Sequence, residues 1–171
     1  TNSVNVYGFD GSAPPMSGSN LNATSINAMT NGTNVTTRSN GTDDMGIGVE
    51  TGGSATNNSA RIENGESLVM NLKTTVNSVA VTLTGLSNGN TSSWTAYDKN
   101  GLLLSSGTIS GNSSDIVNAN INVANMQYIV FGRVNDNYLI SAVSFAPNLN
   151  GVVPDAFNYT LQDADGSVST T

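Results

Sequence analysis

Between residues 66 and 145 the chain runs as short alternating apolar stretches separated by turn residues, and this rhythm restricts the fold more than any other feature. Val79, Val81 and Leu83 occupy every second position, and residues 66–72, 94–98, 116–123, 128–131 and 138–145 share the same aliphatic and aromatic content. A period of two sends one side of a strand into a core and the other toward solvent. Lys99-Asn100-Gly101 is a hairpin turn leading into Leu102-Leu103-Leu104. Residues 85–91 and 107–114 read as turn and loop. Upstream, residues 4–9 form a strand that stops at Asp10-Gly11, and Ile47 and Val49 are the inward residues of a short strand. No stretch shows a convincing helical period. Eight or more strands at this spacing predict an all-β fold, a jelly-roll-like two-sheet β-sandwich with long loops.

Residues 12–40 are mostly small and polar, include Pro14-Pro15, and carry only Leu21, Ile26, Met29 and Val35 as sizeable anchors. They read as one long loop of the functional or mobile kind. Residues 147–150 mark a boundary, which divides the chain into a main domain, 1–147, and a C-terminal segment, 148–171.

With 171 residues the chain can bury a core without cross-links, and it has no Cys to make any. It also has no His, which removes the usual general base and the commonest transition-metal ligand. Only 10% of residues are charged, yet the net charge is −7. The basic residues Arg38, Arg61, Lys73, Lys99 and Arg133 are scattered. Phosphate neutralisation needs them clustered, so nucleic acid is not the expected partner. No apolar run is long enough to span a bilayer, so no membrane insertion is expected. The chain starts at Thr1 without Met and reads as a piece of something longer. Its acidic, Asn/Thr/Gly-rich, Cys-free make-up is the habit of bacterial secreted and surface proteins.

One polar stretch carries chemistry. Residues 41–53, Gly-Thr-Asp-Asp-Met-Gly-Ile-Gly-Val-Glu-Thr-Gly-Gly, combine Asp43, Asp44 and Glu50 with several glycines. Ca²⁺ takes six to eight oxygens from carboxylates and backbone carbonyls, and glycine lets carbonyls converge. Adjacent carboxylates repel one another unless a cation or strong donors sit nearby, so Asp43 and Asp44 are the leading metal-ligand candidates, with Glu50 as a third. The alternative is a solvated turn. Asn135-Asp136-Asn137 offers further side-chain oxygens before the closing strand. Loops at one end of a jelly roll come together, so Asp136 is expected to meet the Asp43 loop, against the alternative of an ordinary Asx turn. Asp10 and Glu66 are candidates for a separate structural site, and Asp163 and Asp165 for an ion at a domain junction. For the ligand surface the candidates are Tyr138 as an aromatic platform, Asn135 and Asn137 beside it, Gly48 among the backbone amides, and Arg133 or Arg61 for an anionic group.

The tail, Pro154-Asp-Ala-Phe157-Asn-Tyr159-Thr-Leu161-Gln-Asp163-Ala-Asp165-Gly166, resembles the strand that recurs in tandem repeats of giant bacterial RTX adhesins. The body, through Gly46-Ile47-Gly48-Val49, residues 64–68, residues 94–101 and residues 135–138, resembles the peptide-binding-like ligand modules set among those repeats. The resemblance implies an extracellular, calcium-dependent, non-catalytic domain at the bacterial cell surface, serving adhesion and biofilm formation. It also implies that a bound ion helps capture the C-terminal carboxylate of a peptide on a partner cell, and that the domain is a monomeric module in a long chain. A carbohydrate-binding module and a calcium-stiffened spacer are the rival expectations. Catalysis is not expected, because no nucleophile motif or His accompanies the paired acids. The low aromatic content, 6%, favours peptide over sugar, since sugar sites use exposed rings.

Overall fold

A computed structural model describes residues 4–50 and 60–147, with the backbone alone of 161–162 and 168–169. The described body is an all-β sandwich. Its strands are β1 (Asn5–Phe9), β2 (Met16–Ser17), β3 (Asn20–Leu21), β4 (Val35–Ser39), β5 (Met45–Val49), β6 (Ser67–Thr84), β7 (Thr91–Tyr97), β8 (Leu103–Ser110), β9 (Ile116–Arg133) and β10 (Leu139–Phe145). A short helix, α1 (Ala23–Asn27), lies between β3 and β4. The main sheet runs β4-β5-β10-β6-β9-β7-β8, with β1 also paired to β6. Within the tail, β11 (Leu161–Gln162) and β12 (Val168–Ser169) pair antiparallel with each other. No helix among the described residues is long and apolar enough to cross a membrane.

Two strands of 18 residues each, β6 and β9, build both layers. The first half of β6 pairs with β1 in a first layer, and its second half with β10 in a second layer. Midway, Lys73 in β6 and Asn125 in β9 take positive φ (62° and 61°), and the β6–β9 register shifts between Asn71 and Val76. An irregularity of this kind bends a strand and resets which side chains face inward. Leu68, Met70 and Leu72 (even numbers) therefore share one core with Val79, Val81 and Leu83 (odd numbers). Ile121, Ile129, Phe131, Tyr138 and Ile140 fill the space between the layers.

The polar run 12–40 is not one irregular loop: it holds β2, β3, α1 and β4 and covers part of the sheet. Asn22 caps α1 by accepting from Ser25 N at 3.0 Å. Leu21, Ala23 and Ile26 pack on the outer face of the first layer against Tyr7, Val69, Tyr97 and Tyr128. The Asn27 amide ties the helix down, donating to Tyr128 Oη at 2.9 Å and accepting from Asn71 Nδ2 at 2.9 Å.

Candidate functional site

At one end of the second layer several strand ends converge. β4 stops at Ser39 and β5 starts at Met45, paired opposite each other, so 40–44 is a hairpin loop closed by Asn40 N donating to Asp44 O at 3.0 Å. The end of β6, the start of β9 and the loop before β10 lie at this same end. Together they enclose a polar cleft of about 380 Å³ lined by Asn40, Asp43, Asp44, Arg61, Gly85, Ser87, Asp115 and Asp136. The expected meeting of the Asp43 and Asp136 loops is present in the structure.

What the acids do there differs from the expectation. Asp44 is buried and faces two guanidinium groups. Its Oδ2 accepts from Arg38 Nε at 2.6 Å, and its Oδ1 accepts from Arg61 Nη2 at 2.8 Å and Nε at 3.2 Å. Burial raises its pKa, but the bonds from Arg38 and Arg61 and the charge of Arg61 outweigh that effect and hold the carboxyl below its ordinary value. Asp44 is therefore corrected from a metal ligand to the anion of an internal ion triad. Guanidinium groups stand where a cation would approach it.

Asp136 is engaged as well. Its Oδ2 accepts from Ser87 Oγ at 2.7 Å and Asn90 Nδ2 at 2.8 Å, and its Oδ1 from Asn137 N at 2.9 Å. Burial again pushes its pKa up, and these hydrogen bonds, from Ser87 first, bring it below the ordinary value. Asp43 is exposed on the cleft wall. Asp115, at φ 55°, stands opposite, its carbonyl accepting from Gly85 N at 2.8 Å. Among the described residues no group of three or more carboxylates is placed to hold a metal ion. The side chains as arranged do not fit a closed calcium site, because two of the four acids already have their donors.

The remaining candidates separate. Glu50 is exposed beyond the far end of β5, a strand's length from Asp43, so it does not complete that set. Asp10 is exposed just past β1, next to the β6 end that Glu66 precedes, but a carboxylate oxygen of Glu66 accepts from Glu63 N at 2.7 Å and closes its own turn. Asp163 and Asp165 lie outside the described residues. Tyr138 is fully buried and donates through its hydroxyl to Gly132 O at 2.9 Å, so it is a core residue, not a platform. Backbone pairing with Ile62 fixes the strand face that turns its ring inward. Gly48 is buried too. A Cβ there would stand 2.1 Å from Ala60 O, so its role is to let residues 60–61 pass closely and deliver Arg61 to Asp44. Asn135 accepts from Thr91 N at 2.7 Å and Arg133 reaches Asn135 O at 3.4 Å, which makes both supports of the Asp136 bend rather than cleft walls. Asn137 contributes its N–H to Asp136 in the same bend.

Sequence reasoning missed Arg38 and Arg61 as partners of Asp44, and missed Asn40, Ser87, Asn90 and Asp115 altogether. A usable signal existed for Arg38, since a hairpin spanning Asp44 brings positions 38 and 46 opposite each other. No protein-family model matches the chain, and comparison with curated proteins gives no match.

Proposed function

We propose that this chain is a non-catalytic ligand-binding module of an extracellular bacterial adhesin, of the kind its sequence resembles, with the ligand seated in the cleft between loop 40–44 and the Asp136 bend. The observation that supports this reading is the convergence on that cleft of polar groups far apart in sequence: Asn40 and Asp43, Arg61, Ser87, Asp115 and Asp136. Asp44 and Asp136 are fixed in place by their own donors, so the walls are organised before any ligand arrives, and preorganised groups lose little on binding. Asp43 and Asp115 remain to meet a positively charged group, and the outer edge of Arg61 remains to meet an anionic one.

The calcium dependence implied by the resemblance belongs to this proposal. Asp43 and Asp115 are the carboxylates a cation would meet here, and calcium would supply charge that a peptide carboxylate can share. Among the described residues no aromatic side chain lines the cleft, which favours a peptide over a sugar that stacks on rings.

The test is a binding screen against peptides with free and amidated C-termini and against a glycan array, each run in calcium and in EDTA. Peptide binding that needs the free carboxylate, and that weakens at least tenfold in Asp43→Asn and Asp115→Asn, is the expected result. Retention by the double variant, or a response to glycans alone, would remove the reading.

A further inference from the structure

Several Asn-Gly pairs lie in the described chain, and the fold treats them unequally. Gly32 N donates to Val6 O while Asn31 Oδ1 accepts from Val6 N, so that pair is held from both sides. Asn40 is tied to Asp44 through its backbone N–H and its side-chain amide. Gly101 is buried, its N–H donating to Asp98 O and its α-carbon seated against Leu21 O. Asn88-Gly89 differs. Both residues are exposed, nothing stands within 4 Å of the Cβ position of Gly89, and no hydrogen bond from the Asn88 side chain or from Gly89 N–H is formed among the described residues. Asn64-Gly65 is open in the same way, in the turn 63–66, whose residues do not line the cleft.

We propose that Asn88-Gly89 is a site of spontaneous deamidation that modifies the cleft rim. An unbonded amide nitrogen followed by no side chain is free to reach the preceding side-chain carbonyl. In the reaction Gly89 N attacks Asn88 Cγ, a C–N bond forms, the C–NH₂ bond breaks, and ammonia leaves with the amide proton. Water then opens the cyclic imide at one of its two carbonyls, giving aspartate or isoaspartate. The location gives the change its consequence. Ser87 and Asn90, which flank the pair, supply three donors to Asp136 Oδ2: Ser87 N, Ser87 Oγ and Asn90 Nδ2. Isoaspartate inserts a methylene into the backbone between them, and either product adds a negative charge beside Asp136. Both changes loosen the clamp that holds Asp136 in the cleft wall.

The experiment incubates the intact chain at mildly alkaline pH and follows each Asn-Gly pair by peptide mapping, reading the gain of about 1 Da and the isoaspartate content. Conversion at Asn88 and Asn64 is expected to outrun that at Asn31, Asn40 and Asn100 at least tenfold. Aged protein and the variant Asn88→Asp should both raise the Asp136 titration midpoint, read by NMR of its carboxyl carbon, while Asn88→Gln should age without that shift. Equal rates at Asn88 and Asn100 would overturn the claim that the fold exposes this pair. Conversion at Asn88 that leaves the Asp136 titration unmoved would overturn the claim that it acts on the cleft.

Discussion

Two N–H groups of Arg61, Nε and Nη2, converge on a single oxygen of Asp44, while Arg38 holds the other oxygen. One carboxylate thus fixes a strand residue, a hairpin loop and the segment before β6. Asp44→Asn leaves two guanidinium groups facing each other without their anion. Removing one partner of a buried pair costs about 3–5 kcal/mol, and the partial exposure of Arg61 lowers this to about 2–3 kcal/mol. Chemical denaturation of the variant should show that loss, and Arg61→Gln should show a smaller one.

Acid should find the same spot. Asp44 and Asp136 both have carboxyl pKa values below the ordinary 3.8. The folded chain therefore binds fewer protons at these groups than the unfolded chain. Their stabilisation is complete above the unfolded value and is lost as pH falls through the lower folded values. Thermal melts are expected to be flat near pH 6 and to decline from about pH 4 downward. In Asp136→Asn the decline should be shallower, with a lower starting Tm.

Tyr138 separates a core role from a ligand role. Its hydroxyl is buried against Gly132 O, and burial pushes its ionisation far above the ordinary range. Tyr138→Phe removes the donor and leaves the carbonyl short of it, at about 1–3 kcal/mol. Equilibrium unfolding should register this cost, while ligand affinity stays within about twofold.

Gly101 tests the hairpin. Its φ is 86°, and a Cβ there would sit 1.9 Å from Leu21 O. Gly101→Ala must strain the turn and lift β3 and α1 from the sheet, so a loss above the ~1 kcal/mol typical of a bare left-handed glycine is expected. Hydrogen exchange should speed up at the amides of 21–28 before it does elsewhere.

The strands carrying Val79, Val81 and Leu83, or Tyr128 to Phe131, were legible because a period of two is a local property. Their continuity was not. Lys73 and Asn125 sit in polar, turn-like neighbourhoods, take left-handed backbone and fall where the β6–β9 register breaks, so each long strand looks like two short ones. β8 looks like loop from Gly107 onward, since one apolar residue, Ile109, among Ser, Gly and Thr shows no period; there the ring of Trp94 lies against Gly107. The helix α1 is too short to display a period, so its cap at Asn22 was its only mark. In the cleft, the meeting of two acidic loops could be anticipated from fold class. That Arg61 takes up Asp44 could not, because the contact depends on how closely Gly48 lets residues 60–61 approach.

Because β6 and β9 belong to both layers, the sandwich has no plane along which it can be split. Prising the layers apart means unzipping the same two strands from end to end, through Lys73 and Asn125 alike. The end that carries the cleft and the face that carries α1 are thus borne by one continuous pair of strands.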